Sequence, residues 1–102
     1  MSSTALFIVH TTKPGKRDEV KRIWLKHMAP AVQANAGHLA YFYTFDDNDP
    51  DSICAFQQYE SAQAASDFLS HPNYQAYLAE SRTLLEHEPR IMSLTPQWVK
   101  ST

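Results

Sequence analysis

Two hydrophobic periodicities alternate along this chain, and their order limits the folds that it can adopt. Residues typical of strands occupy 5–12, 38–45, 52–60 and 90–99, whereas apolar residues recur at helical spacing in about 16–35, 61–69 and 72–88. The order is strand, helix, strand, strand, split helix, strand. It predicts an α+β, ferredoxin-like βαββαβ fold, in which helices cover one face of a four-stranded antiparallel sheet.

Chain length and charge exclude several classes of protein. With 102 residues, the chain can form one domain, 1–102, and has no room for a second core. Its net charge of −2 comes from acids and bases mixed along the sequence, so no basic cluster indicates a nucleic-acid partner. No apolar run approaches the roughly 20 residues of a membrane span, and Met1–Thr4 does not resemble a secretion signal. The single cysteine, Cys54, also favours a cytoplasmic location.

Turn formers and helix caps mark the ends of the predicted elements. Lys13-Pro14-Gly15 follows the first strand, and 46–51 is a cluster of turn formers between strands two and three. Pro30 is expected to kink or end the first helix. Ser61 is a natural N-cap for the second helical segment, and Pro72 is placed for the first turn of the next one, which ends before Pro89.

The second strand predicts that the sheet needs a partner. Its alternation places Leu39, Tyr41, Tyr43 and Phe45 on one face and Ala40, Phe42 and Thr44 on the other. Helices can cover only one face, and the other would expose a large apolar patch. A second copy packed face to face would bury that patch. The sequence therefore predicts a homodimeric α+β barrel, with the last strand, including Trp98, as an arm across the interface.

Three segments resemble the antibiotic biosynthesis monooxygenase family. They are TTKPGKRDEVKRIW with its Pro-Gly turn, the aromatic strand after Gly37, and QQYESAQAASDFLSHPNYQAYLAE. The third is the most specific. Tyr59-Glu60 leads through Ser61 to Ala64 into a helix, and His71-Pro72-Asn73 leads into the next. The resemblance covers nearly the whole chain and implies the same dimeric α+β barrel.

The resemblance implies a cleft between helices and sheet in which some members oxidise quinols or aromatic polyketides with molecular oxygen. These members need no metal or flavin, so no cofactor is expected. A deprotonated phenol can itself pass an electron to oxygen, and the site has only to bind the ring, take a proton and stabilise the anion. The expected partners are a small aromatic substrate and oxygen.

Candidate site residues lie in the segments that carry the resemblance. The proposed catalytic set is His71, Asn73 and Tyr77, with His71 as the base. The proposed substrate-binding set is Tyr43, Tyr59, Phe68 and Tyr74. Aromatic residues at helical spacing more often belong to a core than to a pocket, which favours simple packing for Phe68 and Tyr74. For Tyr43 and Tyr77, whose hydroxyls need partners when buried, the two interpretations are equally favoured.

Two departures from the family pattern bear on the chemistry. Many members carry histidines where Phe68 and Asn73 stand here. A structural role as the N-cap of the following helix would explain a histidine at position 71 equally well. Haem-degrading relatives use a tryptophan and a histidine ligand in these helices, where this chain has Phe68 and Tyr77-Leu78-Ala79, so haem ligation is not expected.

The other histidines form no recognisable motif. His10 and His38 fall at strand ends, where a packing role is the simpler interpretation, and His27 is expected to pack on the first helix. His87, between two glutamates, is expected to be solvated. No metal site is predicted, because the acidic turn 46–51 lacks the internal glycine and terminal glutamate of a calcium loop.

These observations predict a cofactor-independent monooxygenase acting on a quinol or another phenolic, polyketide-like aromatic. One alternative is a non-catalytic binding or stress-response module that sequesters a hydrophobic small molecule. Another is a cofactor-free isomerase or decarboxylase, since the same pocket and base would serve its proton chemistry.

Overall fold

A computed structural model describes residues 3–100 and has the α+β fold that the sequence predicts. In chain order its elements are β1 (Thr4–Thr11), α1 (Arg17–Ala34), β2 (His38–Phe45), β3 (Ser52–Tyr59), α2 (Ala62–Leu69), α3 (Pro72–Ser81), a 3₁₀ turn (Arg82–Leu84) and β4 (Arg90–Leu94). The strands form one antiparallel sheet in the order β2-β3-β1-β4. None of the helices within residues 3–100 is long and apolar enough to cross a membrane.

Local chemistry explains where the elements begin. Gly15 has a φ of +77°, which a residue without Cβ adopts at little cost, and this turn leads into α1. The hydroxyl of Ser61 accepts the Ala64 amide at 3.0 Å, as predicted for the N-cap of α2. Pro72 is the first residue of α3, where its missing amide hydrogen leaves no bond unmade.

The structure decides how far α1 extends beyond Pro30 and corrects the predicted end of the last strand. Helix α1 continues through Pro30 to Ala34, because the buried neighbours Met28 and Ala31 hold the chain against the sheet although one helical hydrogen bond is lost. Strand β4 ends at Leu94, well before Val99. Residues 95–100 continue as an irregular segment, which suits Pro96 because proline cannot donate to a strand ladder.

A β-bulge changes which residues of β2 face the helices. Ala40 pairs with Gln58 and His38 with Tyr59, so Leu39 is an extra residue without a partner. Leu39 was predicted to share a face with Tyr41, but its side chain is 57% exposed. The bulge brings His38 onto the helix-covered face in its place.

The core fills the layer between the helices and one face of the sheet. It consists of Leu6, Val20, Ile23, Trp24, Met28, Ala31, Ile53, Tyr59, Ala65, Phe68, Tyr74, Tyr77 and Leu85. Burial of these apolar side chains is the main force that holds helices and sheet together. The opposite face carries a row of paired side chains across all four strands: Phe42, Phe56, Phe7 and Met92.

Candidate functional site

The helix-covered face of the sheet carries polar groups in an otherwise apolar layer. Cross-strand pairing aligns His38 with Tyr59, Tyr41 with Gln57 and Tyr43 with Ala55, and it places His10 on the same face beside Ile53. Within residues 3–100, five buried side-chain atoms lack a hydrogen-bond partner: His10 Nδ1, His38 Nε2, Tyr43 Oη, Gln57 Nε2 and Tyr77 Oη. Native proteins leave few such atoms unpaired, so this cluster is a candidate binding site.

His38 lies in an aromatic environment at one end of this face. Its ring is 4.3 Å from that of Tyr59 and 4.5 Å from that of Phe68, measured between centroids. Its Nδ1 atom is 2.8 Å from Nδ2 of Asn35. Burial lowers the pKa of His38 from 6.5 to about 4, against a smaller opposing effect of the Gln57 side-chain amide, which approaches the ring without forming a well-aligned hydrogen bond to His38 Nε2. The imidazole is therefore neutral at pH 7.

Gln57 lies beside His38 on the next strand and is 2% exposed. Its Oε1 atom accepts the hydroxyl hydrogen of Tyr59 at 2.6 Å. That bond fixes the amide, so the Nε2 group is the end that remains without a partner.

A second polar group lies at the opposite end of the face, where His10 meets Tyr77 edge-on with 5.7 Å between centroids. Both are buried, at 4% and 1% exposed. Burial lowers the pKa of His10 to about 4. Neither His10 Nδ1 nor Tyr77 Oη has a well-formed hydrogen bond to any residue in the described range 3–100.

Tyrosines connect the two ends. Burial raises the pKa of Tyr41, Tyr43, Tyr59, Tyr74 and Tyr77. Neighbouring phenols raise it further for all of these except Tyr74, because each would be harder to ionise beside a second anion, and for Tyr74 the further rise comes from the Glu88 carboxylate. Trp24 of α1 stacks on Tyr43 with 4.3 Å between ring centroids. The phenols therefore stay protonated at neutral pH and present hydroxyl groups against aromatic walls.

A small cleft opens beside Phe68. It has a volume of about 190 Å³ and is lined by Asn35, Ala64, Asp67, Phe68 and His71. The Phe68 ring lies 5.2 Å from that of His71. Two residues that line this cleft, Asn35 and Phe68, also contact His38.

His71 and Asn73 both have structural roles at the start of α3. His71 caps the helix, because its Nδ1 accepts the Asn73 backbone amide at 3.0 Å. The Asn73 side chain donates to the carbonyl of His27 at 2.8 Å and ties α3 to α1. Neutral His71 therefore carries its hydrogen on Nε2, and Nδ1 can accept a proton only if the cap opens.

The predicted site residues separate into two groups. Tyr43, Tyr59, Phe68, Tyr74 and Tyr77 all lie between the helices and the sheet. His71 is half-buried and lines the cleft, and Asn73, two residues further along, is half-buried outside its lining. No direct hydrogen bond joins Tyr77 to His71 among the described residues.

Sequence reasoning missed His10, His38 and Gln57 as members of this site. His10 could have been assigned by extending the alternation of β1, since it is two residues from Ile8. Gln57 could have been singled out as a polar residue in phase with Ile53 and Tyr59. His38 gave no such signal, because only the bulge turns it inward.

Two further histidines, His27 and His87, lie in polar surroundings. Nε2 of His27 lies 2.7 Å from the Glu80 carboxylate, which ties α1 to α3, and His87 is exposed. Within residues 3–100, no three His, Cys, Asp or Glu side chains lie close enough together to hold a metal ion.

Comparison with known proteins identifies relatives of this fold. A family model for antibiotic biosynthesis monooxygenases matches residues 5–80, more than half of the chain. No curated protein matches the sequence significantly.

Solved structures share the architecture over nearly the whole chain. A Chloroflexus aurantiacus J-10-fl protein, provisionally described as an antibiotic biosynthesis monooxygenase, is 24% identical, has a TM-score of 0.80 and aligns over 98% of both chains. A Caulobacter crescentus CB15 protein of the same provisional description is 18% identical, with a TM-score of 0.86 over 93% of this chain and 90% of the other. Rv0793 from Mycobacterium tuberculosis is 21% identical, with a TM-score of 0.86 over 98% of this chain and 100% of the other. At these identities the likeness concerns the fold alone.

Proposed function

Because the chain belongs to the antibiotic biosynthesis monooxygenase family, we propose that it oxidises a quinol or another phenolic aromatic with molecular oxygen, without a metal or flavin. The observation that carries the proposal is the set of five unpartnered polar atoms on a face otherwise built from aromatic and aliphatic groups. A phenolic ring would satisfy both kinds of surface, since it is apolar over its area and polar at its edge.

The chemistry requires a deprotonated substrate. A phenolate or hydroquinone anion is electron-rich enough to pass an electron to oxygen. In an anthrone-like substrate, one oxygen atom then becomes a carbonyl oxygen and the other leaves as water with the two hydrogens of the oxidised carbon. The protein has to bind the ring, accept its proton and hold the anion away from water.

His71 is the proposed proton acceptor, because it lies at the cleft where solvent can carry the proton away. Accepting the proton on Nδ1 requires release of the Asn73 amide. An N-cap bond contributes about 1 kcal/mol, which is small beside a catalytic barrier. Buried His10 and His38 are weaker bases, since burial lowers their pKa to about 4.

One observation favours a second candidate function, the sequestration of a hydrophobic small molecule without turnover. His71 and Asn73 are both engaged in holding α3, and the cleft beside them is only about 190 Å³. A binding module would use the aromatic walls and need no free base.

Oxygen uptake distinguishes the two functions. Purified, metal-stripped protein is mixed with a panel of hydroquinones and anthrone-like phenols, with heat-denatured protein as the control. Saturable uptake with conversion of an anthrone-like phenol to its quinone and water supports the monooxygenase, because that product gains one oxygen atom. A hydroquinone oxidised to its quinone with release of hydrogen peroxide gains none and would indicate an oxidase instead. Tight binding of the same compounds without uptake would replace it with the sequestering module.

We further propose that a second copy of the chain covers the open face of the sheet. The row Phe7, Phe42, Phe56 and Met92 lies there, and Phe42 is 59% exposed. Trp98, 81% exposed, lies in the irregular C-terminal segment beside this face and lines a groove of about 430 Å³ with Phe56 and Leu94. Pairing two such faces would remove from water an apolar surface that monomers rarely expose.

The cytoplasmic location stays a prediction, which cell fractionation would check.

A further inference from the structure

We infer that His38 and Gln57 form a fixed pair of hydrogen-bond donors that holds an anionic oxygen of the ligand, such as a phenolate. The inference rests on the proposed aromatic site, and it names the form of the ligand that this site prefers. It applies equally to an enzyme that stabilises a substrate anion and to a module that only binds one.

Asn35 fixes the tautomer of His38. Oδ1 of Asn35 accepts the Gly37 amide at 3.4 Å, which leaves Nδ2 to face Nδ1 of His38 at 2.8 Å. An amide nitrogen is only a donor, so Nδ1 of His38 is the acceptor and has no hydrogen. The neutral ring then carries its hydrogen on Nε2, the buried atom without a partner.

Tyr59 fixes the other donor in the same way. Its hydroxyl donates to Oε1 of Gln57 at 2.6 Å, which orients the amide and leaves the Nε2 hydrogens unpaired. The two side chains are neighbours, because His38 pairs with Tyr59 across the strands and Gln57 is two residues from Tyr59 on the same face. Each donor is therefore held by a hydrogen bond on its far side.

The surroundings keep these donors neutral and strengthen their action. The rings of Tyr41, Tyr59 and Phe68 lie 5.6, 4.3 and 4.5 Å from the His38 ring. In such an apolar environment, a hydrogen bond to an ionised oxygen is stronger than in water. The carboxylate of Asp67 at the cleft already accepts from Gln63 at 2.8 Å.

Donors without acceptors favour one kind of ligand atom. Two buried N–H groups that lack partners destabilise the protein, and a ligand oxygen removes that penalty for both. An anionic oxygen forms stronger hydrogen bonds with two donors than a neutral hydroxyl does. The hydroxyl also carries a hydrogen of its own, which would face donors and find no acceptor. We therefore expect the site to bind a phenolate at least about tenfold more tightly than the corresponding phenol.

The tautomer is testable without any ligand. Long-range ¹H–¹⁵N NMR of the full-length protein should show His38 with its hydrogen on Nε2 at neutral pH. Asn35→Ala should produce a mixture of tautomers, whereas His87→Ala, at an exposed histidine, should leave the His38 signals unchanged. A His38 ring with its hydrogen on Nδ1 would overturn the inference.

The preference for an anion is tested with 4-nitrophenol, whose phenolate absorbs visible light. Its pKa when bound should fall by about one relative to free probe. Gln57→Met removes one donor and should return the pKa of the bound probe most of the way to that of the free probe. The milder Tyr59→Phe leaves both donors but frees the Gln57 amide, and it should have a smaller effect in the same direction. An unchanged pKa, or no binding of the probe, would overturn the inference.

Its failure is distinguishable from that of the proposed function. A phenolate preference without oxygen uptake would overturn the monooxygenase and support the donor pair. Oxygen uptake without a phenolate preference would overturn the donor pair alone.

Discussion

The imidazole of His38 meets the ring of Phe68 edge-on, with 4.5 Å between centroids and 85° between ring planes. Phe68 also lies 5.2 Å from His71 at the cleft. It therefore separates a buried imidazole from one beside solvent. A ligand that enters by this cleft has to displace Phe68 before it reaches His38.

A smaller side chain at position 68 should speed ligand entry. Phe68→Leu keeps an apolar core residue, and we expect it to raise the association rate of a two-ring phenol severalfold in stopped-flow measurements. Phe68→Ala should lower the free energy of unfolding by about 3–4 kcal/mol, since Phe68 is 3% exposed. An association rate that is unchanged in a folded Phe68→Leu protein would show that ligands enter elsewhere.

Substitutions at His71 separate its cap from its proposed role as a base. His71→Ala loses both the cap and the imidazole, so its free energy of unfolding should fall by about 1 kcal/mol and its oxygen uptake should be abolished. His71→Ser keeps a capping hydroxyl but no imidazole, so it should regain most of the stability and none of the uptake. Urea denaturation and oxygen electrodes measure the two properties. Full uptake by His71→Ser would remove His71 from the catalytic set.

Acid should weaken the fold, because two histidines are buried uncharged. Burial lowers the pKa of His10 and His38 from 6.5 to about 4. Between these values the unfolded chain binds more protons than the folded one, so the free energy of unfolding falls as the pH decreases from about 6.5 towards 4. Above about pH 6.5 the full stability contribution of the uncharged histidines is present. For His10 the loss is at most about 3 kcal/mol.

Denaturation by urea between about pH 7.5 and 4.5 checks this dependence. His10→Phe should flatten the slope, since it removes one of the groups that must charge on unfolding. His87→Ala is the matched control at an exposed histidine and should leave the slope as it is. A slope that is the same in all three proteins would contradict the assignment to His10.

The dimer proposal predicts a mass of twice 11.6 kDa by light scattering at micromolar concentration. Phe42→Glu places a charge in the row on the open face and should give a folded monomer, because Phe42 is already 59% exposed in one copy. Leu25→Glu is a matched control, at an apolar residue of α1 that is 49% exposed. A wild-type monomer, or equal effects of both variants, would contradict the proposal.

The order of the elements could be predicted from the sequence because local residue patterns mark each helix and strand. Ser61 and Pro72 mark helix starts, and the alternation of β3 separates Ile53 and Tyr59 from the opposite face. These signals depend on a few neighbouring residues, so no knowledge of the tertiary structure is needed to read them.

The candidate site was only partly predictable, because it depends on register and on hydrogen bonds between distant residues. The bulge at Leu39 turns His38 inward, and alternation alone places it on the wrong face. The orientation of Gln57 depends on Tyr59, and the cap formed by His71 could be anticipated only as an alternative to catalysis. Pairing of this kind is a property of the folded chain.

The hydroxyl of Tyr77 provides a test of whether the unpartnered atoms serve a ligand. It is buried and has no well-formed hydrogen bond among residues 3–100, which is unfavourable in the free state. Tyr77→Phe should therefore raise the free energy of unfolding by about 1 kcal/mol and, in the same protein, weaken phenol binding or oxygen uptake. Ser81→Ala is a comparison on the next turn of α3, where the Ser81 hydroxyl donates to the Tyr77 carbonyl and lies against the Tyr77 side chain. Its loss should lower the free energy of unfolding, in contrast to the rise expected for Tyr77→Phe. If the Tyr77→Phe protein binds phenols as tightly as the wild type, the Tyr77 hydroxyl belongs to the core and is not part of the binding site. Tyr43 would then be the remaining tyrosine whose unpartnered hydroxyl could contact the ligand.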